Sequence, residues 1–102
     1  MGLMDKLRED FRARRTRHTV LDTDVYVTPL TVDEETRLRT LHPTDAALRI
    51  AEMLVLKCRN EAGEPLFTKE DKQALKREVA GDRLGALVVA ITGPGPEELE
   101  KK

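Results

Sequence analysis

Asp45-Ala46-Ala47-Leu48-Arg49-Ile50-Ala51-Glu52-Met53-Leu54-Val55-Leu56-Lys57-Cys58-Arg59 is the stretch whose reading decides the fold. After the opening Asp45, only Arg49, Glu52, Lys57 and Arg59 present charge to water, so the helix it predicts is apolar around most of its girth. Such a helix belongs at the centre of a domain, with the other elements laid against it. Pro43 breaks the chain just before it, and Thr44 and Asp45 supply an N-cap and a first-turn acid.

Downstream, Asn60-Glu61-Ala62-Gly63-Glu64-Pro65 reads as a turn in which Gly63 is free to take positive φ. Leu66-Phe67 form a compact apolar pair, and Thr68 with Asp71 caps a further helix whose Ala74, Leu75 and Val79 face inward. Gly81 stands where a left-handed C-terminal cap is expected, and Asp82 where the last major helix needs an N-cap. In that helix Leu84, Leu87, Val88 and Ile91 make one stripe and Val89 a second face, until Gly93-Pro94-Gly95-Pro96 ends it. Upstream, Thr31 and Glu34 form a capping box for a polar helix from Val32 to Leu41. Thr19-Val20-Leu21 and Val25-Tyr26-Val27-Thr28 predict two strands around a turn at Asp22-Thr23-Asp24, which must lean on the helices to be stable. Residues 3–15 predict a first helix with Leu3, Leu7 and Phe11 on one face. The expectation is a mainly α chain: a small helical domain of four or so helices with a short N-terminal β-hairpin. Residues 1–18 form a basic helix or arm, 19–92 the helical core domain with its hairpin, and 93–102 a flexible polar tail.

The 102 residues carry 18 Lys and Arg against 19 Asp and Glu, a net charge of −1. Three aromatics, Phe11, Tyr26 and Phe67, are too few for the stacking platforms of single-strand binders. The single cysteine excludes an internal disulfide framework, and no apolar run approaches the roughly 20 residues of a membrane helix. Met1–Lys6 has no signal-peptide h-region, so the expected location is the cytoplasm. Metal and phosphate signatures (a paired Cys-x-x-Cys, His-Glu-x-x-His, a Gly-rich loop) do not occur. Aligned on a calcium loop with Gly63 sixth, the chain places Cys58 first and Lys69 twelfth, where carboxylates are required. Cys58 lies on the apolar face of the central helix, where a buried, inert thiol is the usual outcome. The sequence thus predicts no enzyme, no cofactor and no metal.

Two features suggest binding. Arg12, Arg14, Arg15 and Arg17 form a basic patch suited to phosphates or an acidic partner, or a solvated helix end paired with Asp10, Asp22 or Asp24. The stripe Leu84, Leu87, Val88, Ile91 is either core or a surface for a partner or for self-association, since the chain has more apolar helix surface than a domain this small readily hides.

Val25-Tyr26-Val27-Thr28-Pro29-Leu30-Thr31-Val32-Asp33-Glu34 is similar to the strand, Leu-Thr and helix opening of the tail assembly chaperones of long-tailed bacteriophages. Asn60-Glu61-Ala62-Gly63-Glu64-Pro65-Leu66-Phe67-Thr68-Lys69-Glu70-Asp71 resembles that family's acidic Gly turn, Leu-Phe pair and capped helix, with Asn60 where Asp is common. The resemblance runs from about Leu21 to Ile91. It implies a non-enzymatic, mostly helical factor that binds the tape measure protein while tail tube protein polymerises around it. Such a factor works in the host cytoplasm and is absent from the mature virion. It also implies a longer form made by ribosomal frameshifting, for which the codons of Lys101-Lys102 would serve. The alternatives are a small nucleic-acid-associated protein using the Arg12–Arg17 run, or a structural tail or head-completion subunit.

Overall fold

The computed structural model describes residues 2–93, in the order α1 (Leu3–Ala13), β1 (Thr16–Val20), β2 (Thr23–Val27), α2 (Val32–Leu41), α3 (Ala46–Lys57), a 3₁₀ turn (Lys69–Asp71) leading into α4 (Lys72–Arg77), and α5 (Gly81–Thr92). The chain is mainly helical with one short antiparallel hairpin. The tail expected over 94–102 lies outside the described residues.

The apolar stretch is the central element, with α2, α4 and α5 packed on α3. Its N-cap is Asp45, whose carboxylate accepts from the Leu48 amide at 2.9 Å. Ala51, Met53, Leu54 and Cys58 pass into a core completed by Val25 and Val27 of β2, Leu38 of α2, Leu75 of α4, and Leu84, Leu87 and Ile91 of α5. The Thr31–Glu34 capping box forms as expected: Thr31 Oγ1 accepts from the Glu34 amide at 3.2 Å, and Glu34 Oε1 accepts from the Thr31 amide at 2.9 Å. A second box joins Thr68 and Asp71, and α5 ends at Gly93 with φ +77°.

The hairpin differs from expectation in register. Its turn is Leu21-Asp22, at φ +48° and +66°, so Val20 pairs with Thr23 and β1 reaches back to Thr16. Positive φ at both central residues gives the tight turn whose twist matches that of the strands it joins, and this outweighs the poor fit of Leu21. The boundary drawn at residue 18 therefore falls inside β1. The sheet also continues beyond the hairpin: Tyr26 exchanges backbone hydrogen bonds with Arg59, and Arg59 bridges to Pro65. The 60–65 turn thus folds Pro65 back against Arg59, the residue that pairs with β2. Gly63, at φ +87°, makes that reversal, and Asn60 ties it by accepting from the Glu64 amide and donating Nδ2 to Glu64 Oε1 at 3.0 Å. An Asp at 60 would have no such donor.

Around α4 three expectations fail together. The helix stops at Arg77, Val79 is exposed, and Gly81 is the first residue of α5 rather than a left-handed cap. Asp82 therefore lies inside the first turn, where its charge favours the helix N-terminus without capping it. The Leu30 amide donates to the Ile91 carbonyl at 3.0 Å, supplying a partner for one of the last carbonyls of α5.

Candidate partner-binding surface

The stripe offered as a partner surface is core. Leu87 and Ile91 are 1% and 0% exposed, Leu84 is buried, and Val88 packs partly against them, while Ala86 and Val89 are left to solvent. The α5 face they form packs on β2 and α3, and Val88 and Ile91 meet open space only at the lining of a cleft between α2, α3 and α5.

Uncovered apolar surface lies instead on α1. Leu3 is 71% exposed and Leu7 51%, Met4 is exposed beside them, and no residue of this helix is buried. α1 meets the body through its last turn and the residues just after it. Phe11 sits 5.7 Å from the Lys57 ammonium, the Arg14 guanidinium approaches Gly93, and Arg15 lies 4.4 Å over the Tyr26 ring. An apolar face held away from the core is surface that a helix does not keep for its own stability.

Among the described residues Lys57 is the one charged core residue, 7% exposed. Its ammonium donates to Glu34 Oε1 at 2.9 Å, the same oxygen that closes the capping box on α2. Burial pushes the Glu34 carboxyl up, but the Thr31 amide and the hydrogen bond and charge of Lys57 together bring it below its ordinary range. Two further pairs tie α3 to α4: Lys72 to Glu52 at 3.2 Å, and Lys76 to Asp45 at 2.7 Å. The Lys76 hydrogen bond, followed by that of the Leu48 amide, also holds the Asp45 carboxyl below its usual range. His42 Nε2 is buried without a hydrogen-bond partner, 3.9 Å from Glu52 Oε1.

Beside this network runs a groove of about 550 Å³, floored by Leu38, Val55 and Leu56 and walled by Leu41 and Phe67. A smaller cleft of about 450 Å³ opens between α2, α3 and α5, with Arg14 and Arg49 at its lining. In α2, a polar helix by its sequence, Val32, Leu38 and Leu41 are the large apolar residues. The fold buries Leu38 and leaves Leu41 exposed, a difference that depends on how α2 crosses α3.

The basic patch divides between two elements. Arg12 and Arg14 belong to the end of α1, and Arg14 stands 3.6 Å from Asp10, one of the acids expected to pair with the run. Arg15 donates to the Asn60 and Glu61 carbonyls and stacks on Tyr26, while Arg17 is exposed on β1 directly across from Tyr26. Arg59 adjoins Tyr26 on its other side, an addition that only the backbone pairing reveals.

Burial alone pushes the Cys58 thiol up to about 12, leaving it protonated and unreactive at neutral pH. Among the described residues, no group of three His, Cys, Asp or Glu side chains is placed to hold a metal ion, and no helix is long and apolar enough to cross a membrane. Compared with known proteins, the chain matches no family model, no curated protein and no solved structure.

Proposed function

We propose that the protein is a tail assembly chaperone of the long-tailed phage type, a factor without catalysis that holds an apolar helical stretch of the tape measure protein while tail tube protein assembles. The observation that carries this reading is the contiguous face of Leu3, Met4 and Leu7 on α1, each more than half exposed on a helix that has no buried residue. A helix face of that kind suits helix-on-helix contact, and its small area suits weak, repeated binding of many copies along one long partner. Such contacts are readily displaced by an arriving tube subunit. The site of action on this reading is the host cytoplasm.

The test is co-expression with the tape measure protein, followed by capture on the tagged chain. A complex that survives purification and is lost in the Leu3→Glu/Leu7→Glu variant supports the reading. Both positions are exposed, so this variant keeps its circular dichroism spectrum and unfolding midpoint. A complex that persists in that variant moves the site elsewhere, and no complex at all refutes the function. Copurification with mature virions would point to a structural subunit instead. The nucleic-acid alternative has less behind it, because Arg14 faces Asp10 and Arg15 is engaged with Tyr26 and two backbone carbonyls. It would show as oligonucleotide binding that weakens steeply with salt.

A further inference from the structure

We propose that the groove between α2 and the Pro65–Lys69 segment, floored by α3, docks an amphipathic helix whose apolar stripe is flanked by Asp and Glu. This rests on the helix-binding reading above and names the chemistry of the partner at a second surface, distinct from α1.

The groove is apolar where a side chain would enter, at Leu38, Leu41, Val55, Leu56 and Phe67. Its charges are unequal in availability. The two carboxylates in its wall, Glu34 and Glu52, are already committed to Lys57 at 2.9 Å and Lys72 at 3.2 Å. Of the three cations that line it, Arg37 is shared with Asp33 across solvent, while Arg59 and Lys69 have no carboxylate within salt-bridge distance among the described residues. Arg59 is held in place by donating to the Gly63 carbonyl at 2.9 Å, which fixes its position and leaves its charge unbalanced. The cationic character extends past the groove, because Arg59 and Arg17 flank Tyr26 on its two sides and Arg15 covers the ring.

That charge pattern selects the occupant. A small polar ligand needs convergent free polar groups within its pocket, and here the wall carboxylates are taken. A second copy of this chain, offering α1, would bring Arg12 alongside Leu7 and Phe11, with Arg8 already paired to Asp5 at 3.4 Å, and so set a further cation against the groove's own. Nucleic acid would use the cations but leave the apolar floor uncovered. An apolar stripe with acidic flanks satisfies both the floor and the rim.

The experiment uses fluorescence anisotropy on the full chain with two labelled peptides of about five helical turns. Both carry the same Leu stripe, one flanked by Glu and the other by Lys, and a single-stranded DNA oligonucleotide serves as the third probe. The Glu-flanked peptide is expected to bind at least about tenfold more tightly than the Lys-flanked one. Lys69→Glu should remove most of that preference, and Leu41→Gln, at an exposed position, should weaken the Glu-flanked peptide about tenfold with an unchanged circular dichroism spectrum. Equal binding of the two peptides overturns the proposal, as does binding indifferent to Leu41→Gln and Lys69→Glu but lost in Leu3→Glu/Leu7→Glu. The latter would leave the chaperone reading standing on α1 alone. Oligonucleotide binding abolished by Lys69→Glu, with no peptide bound, assigns the rim to phosphates and also overturns it. Glu-flanked peptide binding without any tape measure complex would keep the groove and refute the chaperone function.

Discussion

Truncating Leu87 to Ala separates the two roles that an apolar stripe on α5 could have. Leu87 is 1% exposed, among the largest fully buried side chains, and packs within the cluster that joins β2, α3 and α5. Removing it loses the transfer energy of the deleted carbons and leaves a cavity that a densely packed core only partly closes, a combined cost of about 3 kcal/mol. Small domains are stable by only about 5–15 kcal/mol, so the loss is a large fraction of the whole. In a domain of this size it should lower the thermal midpoint by roughly 12–24 °C. The control is Leu7→Ala: at 51% exposure with no buried neighbour on its own helix, it should change stability by about 0.5 kcal/mol or less while weakening partner capture. Urea unfolding followed by far-UV circular dichroism reads both. If Leu87→Ala keeps the wild-type midpoint and slope yet loses the partner, α5 does not pack on β2 and α3 through this face. If Leu7→Ala costs 2 kcal/mol or more, α1 is covered by the body rather than exposed.

The buried Lys57–Glu34 pair should respond asymmetrically to substitution. Glu34→Gln strands an ammonium that is 7% exposed and should cost about 2 kcal/mol, reduced from the fully buried case because Glu34 is partly solvated, whereas Lys57→Met should fall within about 1 kcal/mol of wild type. The same pair sets an acid limb. Because the folded carboxyl lies below the ordinary value of 4.5, its contribution is fully present above that pH and is lost as pH falls through the depressed value; acid titration of stability should be shallower in Glu34→Gln. At the hairpin, Leu21→Asn relieves a bulky residue at φ +48° and should raise stability by about 0.5–1 kcal/mol in thermal melts, and a loss instead would mean that the turn is not of this type. Cys58, with its thiol pushed up to about 12, should react with a disulfide reagent at neutral pH only at the rate of unfolding, and prompt labelling of the native protein would contradict its burial.

What could be read from the residues follows the range of the interaction concerned. Capping is local, so Thr31 with Glu34 and Thr68 with Asp71 were legible from a spacing of three residues, whereas the cap of α3 falls one residue later than expected, on Asp45 rather than Thr44. The central place of α3 was legible because an all-round apolar helix has nowhere else to go. The hairpin register was not: Thr16, Arg17 and His18 look like the end of a basic helix, and only pairing with Val25–Val27 makes them a strand. Gly81 and Asp82 misled because a Gly beside a capping residue fits a helix end or a helix start equally well, and the short α4 decided between them. The α5 stripe and the α1 stripe both recur at helical spacing, so each reads as one apolar helix face. Which one is covered depends on how many elements surround each, and α5 has β1, β2 and α3 around it while α1 is held only by its last turn and the residues after it.

Among the described residues the three lysine–carboxylate pairs all involve α3 or its cap, joining it to α2 through Glu34–Lys57 and to α4 through Glu52–Lys72 and Asp45–Lys76. Pairs of this kind add little net stability against apolar replacements, so a core with so few aromatics gains something else from them. We read them as setting how α2 and α4 lie on α3, and therefore the width of the groove between Leu41 and Phe67. Neutralising Glu34 is a second effect of the same lysine, and the two can be separated. Lys57→Met alone frees the Glu34 charge at the groove wall and should weaken the Glu-flanked peptide by repulsion whether or not alignment matters. Lys57→Met combined with Glu34→Gln removes both charges and keeps a side chain able to close the Thr31 cap. If alignment matters, the double variant stays folded yet still binds the peptide several-fold more weakly than wild type. Recovery of full affinity in the double variant would show that the pair acts on the groove through charge alone, and that α2 is seated by the packing of Leu38 without help from the ion pair.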